Sequence, residues 1–168
     1  LYFRNDNYIP DNPESKPVIP VTRSVAREEL TARATLQALI SGPVQRERND
    51  LAAGPVINDI DLQIDDIYIK NKICVIHLSS SYQLPLYNYK NQTAAQAETV
   101  FTQSLVCSLA ESMQVEGVWL FQNGNPWQGN ILDWLSPLAP PGRGLSYTLY
   151  FCEEISNEYS AWQKRSEE

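Results

Sequence analysis

Carboxylates and aromatic rings are the residue types in this chain whose positions could carry chemistry. Glu98, Glu111, Glu116, Asp65, Asp66 and Asp133 supply acids. A glycoside hydrolase needs two such groups facing each other across a groove, one of them kept protonated by burial. Acids populate any solvated face of a chain this acidic, and no spacing singles out a pair, so a carbohydrate hydrolase is the least supported reading. The aromatic residues are placed more selectively. Tyr82, Tyr87 and Tyr89 precede a long helical stretch, and Trp127 and Trp134 follow the apolar run after it. Flat rings beside amide and carboxylate groups suit stacking on a sugar or docking a peptide. Tyr87, Tyr89, Trp127 and Trp134 are therefore the candidate ligand-binding residues, against the alternative that these rings close the open ends of a small sandwich.

Other chemistries find little support. His77 is the only histidine and lies in a strand-like run, where a core-edge role is expected and no triad partner is apparent. Cys74, Cys107 and Cys152 show no metal-binding or redox spacing, and Cys74 and Cys107 read as small buried hydrophobes. There is no nucleophile elbow, no Walker-type loop and no dinucleotide fingerprint, and Gly142-Arg143-Gly144 reads as an ordinary loop. No catalytic residue, metal or cofactor is expected. Asn91-Gln92-Thr93 matches a glycosylation sequon, but Thr93 has a competing task as a helix cap.

With 168 residues and 43% hydrophobic content, the chain can bury one full core, and a single domain is expected over 1–168. Its 20 acidic against 13 basic residues, a formal charge of -7, repel phosphate backbones, so nucleic acid is not an expected partner. No run of residues approaches a membrane span. The sequence opens on Leu1 rather than Met, which leaves room for a removed export signal or anchor as the sole link to a membrane.

The elements that must position these residues centre on Thr93 to Trp127. Thr93 and Gln96 have the spacing of a capping box, Ala94, Ala97, Phe101, Leu105, Leu109 and Met113 form one apolar stripe, and Glu98, Gln103 and Glu111 fall off it. Gly117 is expected to stop the helix, Val118 to Phe121 to form a buried strand, and Asn123-Gly124 to turn the chain. Upstream, Leu1 to Phe3 and Val18 to Val25 read as strands. A helix follows with Ser24 as its cap, ending at Gly42-Pro43 with Ala32, Leu36, Leu39 and Ile40 on its inner face. Val44 to Asp59 reads as a surface connection with room for a turn of helix. Asp61 to Lys70 and Ile73 to Ser79 form a hairpin about Asn71-Lys72, with a bulge or bend at Asp65-Asp66. Residues 127–152 read as a Pro-, Gly- and Trp-rich wrap followed by a strand over Leu145 to Cys152, and 153–168 as a polar tail. That last strand either joins the domain or begins a truncated repeat. The order ββαββαβ plus the final strand favours an α+β two-layer sandwich, with a mixed or antiparallel sheet packed by two main helices.

Assembled in this order, LYFRND, VIPVTRSV, LQALISGP, LQIDDIYIKNKICVIHLS and ETVFTQSLVCSLAESMQVEGVWLFQNGNP resemble the GerMN domain of sporulation and germination proteins, over residues 1 to about 126. The L-x-x-G-P helix end and the V-x-G-V-x-L-x-x-x-G passage at Val115 to Gly124 are its most specific local signals. The chain departs from the family's pattern in the Pro-rich insertion at 10–20, at Ile57-Asn58-Asp59 and at the Asn71-Lys72 turn. The resemblance implies a non-enzymatic, extracytoplasmic domain, membrane- or lipid-anchored in the full-length protein, that acts in envelope assembly. Envelope proteins and further copies of itself are the partners expected, with peptidoglycan or another glycan as the alternative ligand. It carries over no functional residue.

Overall fold

The computed structural model describes residues 1–9, 12, 14–24, 31–57, 62–79, 93–129 and 134–141. Its elements run β1 (Tyr2–Asn5), β2 (Val18–Pro20), α1 (Ala32–Ser41), α2 (Gln45–Leu51), β3 (Ala53–Gly54), β4 (Ile64–Lys70), β5 (Ile73–Leu78), α3 (Ala94–Met113), β6 (Gly117–Gln122) and β7 (Asn125–Pro126). The α+β class and the mixed pairing are as expected. The strands divide between two sheets, however, in the orders β2-β1-β3 and β4-β5-β6-β7. The expected strand over 145–152 lies outside the described residues.

The larger sheet grows from the hairpin. Asn71 and Lys72 both take positive φ, 48° and 63°, as the tight turn matching strand twist requires. The register shifts between Ile64 and Asp66, which makes Asp65 the extra residue of a bulge. β5 pairs antiparallel with β4 and parallel with β6, so the chain between β5 and β6 must cross over, and α3 lies in that crossover. Every residue of β5 is buried, which means that both faces of the sheet are covered there. Cys74, Ile76, Leu78, Val118 and Leu120 make one face aliphatic. On the opposite face Tyr68, His77, Phe121 and Trp119 form a ladder of rings whose successive centroids are 6.0, 4.9 and 4.9 Å apart.

α3 starts where its sequence says. Thr93 N–H donates to Gln96 Oε1 (2.8 Å) and Gln96 N–H to Thr93 Oγ1 (3.2 Å), a reciprocal cap that satisfies two helix-start groups. Its end differs. Gln114 takes the left-handed cap at φ 55°, while Gly117, the expected stop, is the first residue of β6 and pairs with Ile73. The helix is also buried on more than one stripe, because it packs on α1, on β1 and β2 of the smaller sheet and on β6 of the larger. Glu98, which falls off the apolar stripe, is for that reason wholly buried against Gly129.

One further correction and one refinement concern the first half of the chain. α1 is capped by Thr31, whose Oγ1 accepts from Ala34 N–H at 3.0 Å, rather than by Ser24; residues 25–30 between them lie outside the described set. The turn of helix allowed for in the surface connection after Pro43 is the two-turn helix α2, tied down by Glu47. That carboxylate accepts Arg23 Nε (2.7 Å), Arg23 Nη2 (2.6 Å) and Val44 N–H (2.8 Å), while the Arg23 guanidinium lies 5.2 Å from the centre of the Phe3 ring. The Arg23 hydrogen bonds hold the Glu47 carboxyl below its usual range.

Candidate functional site

β1 and β2 present their even-numbered residues on one face: Tyr2 stands opposite Pro20, and Lys16, Val18 and Pro20 follow at steps of two. On α3, Gln103, Cys107 and Glu111 recur every fourth residue and Ala110 lies beside them, so they share one helix face. These two rows and Pro140-Pro141 enclose a groove of about 520 Å³, within the size range of ordinary ligand sites. Tyr2 Oη donates to Glu111 Oε1 at 2.5 Å, which fixes the carboxylate beside the Tyr2–Pro20 pair. Lys16, two residues before β2, also lines the groove, so its walls carry one basic and one acidic side chain among proline, tyrosine and aliphatic ones. Such a surface can bind and orient an extended molecule.

The sequence-predicted site residues fall elsewhere. Trp127 is 3% exposed and Trp134 is 0% exposed; both belong to the core cluster. Trp127 meets Phe101 of α3 edge-on at 5.4 Å and Trp134 at 6.1 Å, and Trp134 O accepts the Trp119 indole N–H at 2.7 Å. Tyr87 and Tyr89 lie outside the described residues. His77 is buried in the ring ladder, and that burial lowers its pKa to about 4, with Asp66 and Asp65 opposing the shift. Burial likewise pushes the Cys74 thiol up to about 12, which makes it unreactive. Cys107, expected inside, is half-buried on the groove wall. Sequence reading passed over Tyr2, Lys16 and Cys107 as binding residues, although Gln103 and Glu111 off the apolar stripe already marked the helix face that lines the groove.

A family model described as "Germane: Sporulation and spore germination" matches residues 1–128. This chain belongs to the Germane family. The matched span of the Germane domain holds both long walls of the groove, while Pro140 and Pro141 lie beyond it. Two solved structures share the fold. The "Putative Lipoprotein from Clostridium perfringens" is 19% identical at a TM-score of 0.51, with 88% of this chain and 91% of that one covered. The tandem GerMN domains of the sporulation protein GerM from Bacillus subtilis are 16% identical at a TM-score of 0.53, with 88% of this chain and 45% of that one covered. No curated protein gives a significant match.

Proposed function

We propose that this Germane domain is a non-enzymatic, extracytoplasmic interaction module that helps assemble envelope complexes linked to sporulation or germination. The observation that carries the reading is the family match over residues 1–128. The Clostridium perfringens neighbour's description as a lipoprotein supports a place at the envelope, held there by an anchor outside the domain. The groove adds a surface suited to binding, walled by Tyr2, Val18 and four prolines. Its lining includes two charged residues, Lys16 and Glu111, which can orient a partner.

The test is photo-cross-linking in native cells, with a photoreactive residue placed at Gln103 on the groove and another at the exposed Gln45 of α2. Capture of envelope proteins from the groove position supports the proposal. Equal labelling from both positions, or none from either, counts against it.

A further inference from the structure

Ser108 accepts the Tyr2 N–H and Ser104 donates to the Tyr2 C=O, so α3 lies along the edge of β1 opposite β2 and runs in the direction opposite to β1. Gln103 and Cys107 each precede one of these serines by one residue, about 100° round the helix, and Glu111 lies one turn beyond Cys107. The three therefore form a row to one side of the anchoring serines. The groove they line crosses the sheet face that carries Tyr2, Val18 and Pro20, with Tyr2 between α3 and β2. Its two ends differ in charge. Pro20 stands opposite Tyr2, Val18 opposite Arg4, and the Lys16 C=O accepts Asn5 Nδ2 at 2.9 Å, which places Lys16 toward the end of β1. Running the other way, α3 brings Gln103 toward that end and Glu111 toward the start of β1, where Tyr2 Oη donates to Glu111 Oε1 at 2.5 Å.

We infer that the groove binds a short extended peptide segment lying across this face, with an ammonium at the Glu111 end, a carboxylate at the Lys16 end and apolar side chains between. This rests on the interaction reading and names its partner chemistry. At one end Tyr2 takes Glu111 Oε1, which leaves Oε2 and the face of the Tyr2 ring to receive the ammonium. At the other, the Lys16 ammonium and the Gln103 amide are donors for the carboxylate. The rest of the lining, Val18, Ala110, Cys107 and four prolines, suits apolar side chains. Proline has no side-chain rotamer freedom to lose, so these walls are formed before the ligand arrives. The length agrees as well: Gln103 to Glu111 spans about 12 Å of helix and Lys16 to Pro20 about 13 Å of strand, the reach of about four extended residues. A single amino acid is too short to meet both charges, a neutral sugar satisfies neither, and a polyanion is repelled by the formal charge of -7.

The probe is a pool of capped tetrapeptides with lysine first, aspartate last and apolar residues between, titrated into ¹⁵N-labelled protein. The expected result is saturable movement of the Gln103, Cys107 and Glu111 amide resonances on one wall together with that of Val18 on the other. Glu111→Lys should weaken binding about tenfold or more and restore it for a pool with glutamate in place of lysine, which a folding defect would not do. Lys16→Glu should act in the same way at the other end, with rescue by a pool carrying lysine in place of aspartate. Resonances unmoved by the pool, binding indifferent to both charge reversals, or saturation of the same resonances by neutral N-acetylglucosamine oligomers in preference to the peptides overturns the inference. In cells, Glu111→Lys separates the two readings. Loss of the envelope proteins cross-linked from position 103 supports the inference. If the same proteins are still captured, the groove inference fails and the interaction reading stands.

Discussion

Ser108 on α3 accepts the backbone N–H of Tyr2 on β1 at 2.8 Å, across 106 residues of chain. One turn earlier, Ser104 donates its hydroxyl to the carbonyl of the same tyrosine. Among the described residues, Tyr2 is the position where β1 has β2 on one side and no strand on the other, because β3 reaches only Arg4 and Asn5. Two helix serines thus do for Tyr2 what a neighbouring strand would do, and they hold the smaller sheet against α3 beside the groove.

That arrangement predicts the cost of removing it. Ser104→Ala combined with Ser108→Ala removes the helix partners of the partly buried Tyr2 N–H and C=O, at about 1 to 3 kcal/mol for each group. Urea unfolding should show a lower midpoint, and the Tyr2 amide should exchange faster with solvent. An unchanged midpoint would mean that water replaces the hydroxyls without loss.

Trp127 tests core against surface. As a ring packed between Phe101 and Trp134, it should lose about 3 to 5 kcal/mol on replacement by alanine, and much less on replacement by phenylalanine. Calorimetry of the two variants distinguishes this from a solvent-facing ligand platform, where both substitutions would leave the melting temperature unmoved.

Gly129→Ala should destabilise the domain. A Cβ there would stand 2.1 Å from Glu98 Oε1 and 2.5 Å from its Cδ, and Glu98 is fully buried. Forced displacement in a packed site costs about 1 to 3 kcal/mol. Adding Glu98→Ala removes the obstacle, so the double variant should be less destabilised than the sum of the two single ones.

Acid should weaken the fold in two stages. His77 has its folded pKa lowered to about 4 from 6.5, so the unfolded chain binds the extra proton, and stability falls as pH drops from 6.5 through 4. The loss is on the order of 3 kcal/mol. Glu47, also depressed, contributes stability present above its ordinary value of 4.5 and lost as pH falls below it. Denaturation midpoints measured from pH 7 to 3 should show the first stage disappear in His77→Phe and the second in Glu47→Gln. A first stage that persists in His77→Phe would assign it to another group.

Local features of this fold were legible in the sequence because local interactions decide them. The Thr93–Gln96 cap, the Asn71-Lys72 turn, the Asp65 bulge and the Gly42 helix end each depend on residues within a few positions of one another. The Gly117 stop failed because Gln114 tolerates the left-handed cap, which freed the glycine to enter β6. Of the candidate site, the outward face of α3 was legible as polar residues off the apolar stripe. The wall facing it was not.

The sequence by itself determined the class of fold, the family, and where the main helix and hairpin begin and turn, since these follow from periodicity, capping and turn chemistry read over short windows. Tertiary structure alone decided that the strands form two sheets, that Trp127 and Trp134 turn inward, that Glu98 is buried, and that Tyr2, Lys16 and Glu111 share one groove. Those outcomes depend on pairings such as Arg4 with Gly54 and Tyr2 with Ser108. Contacts between distant residues are chosen by how the whole core packs, and no local window of the sequence contains them.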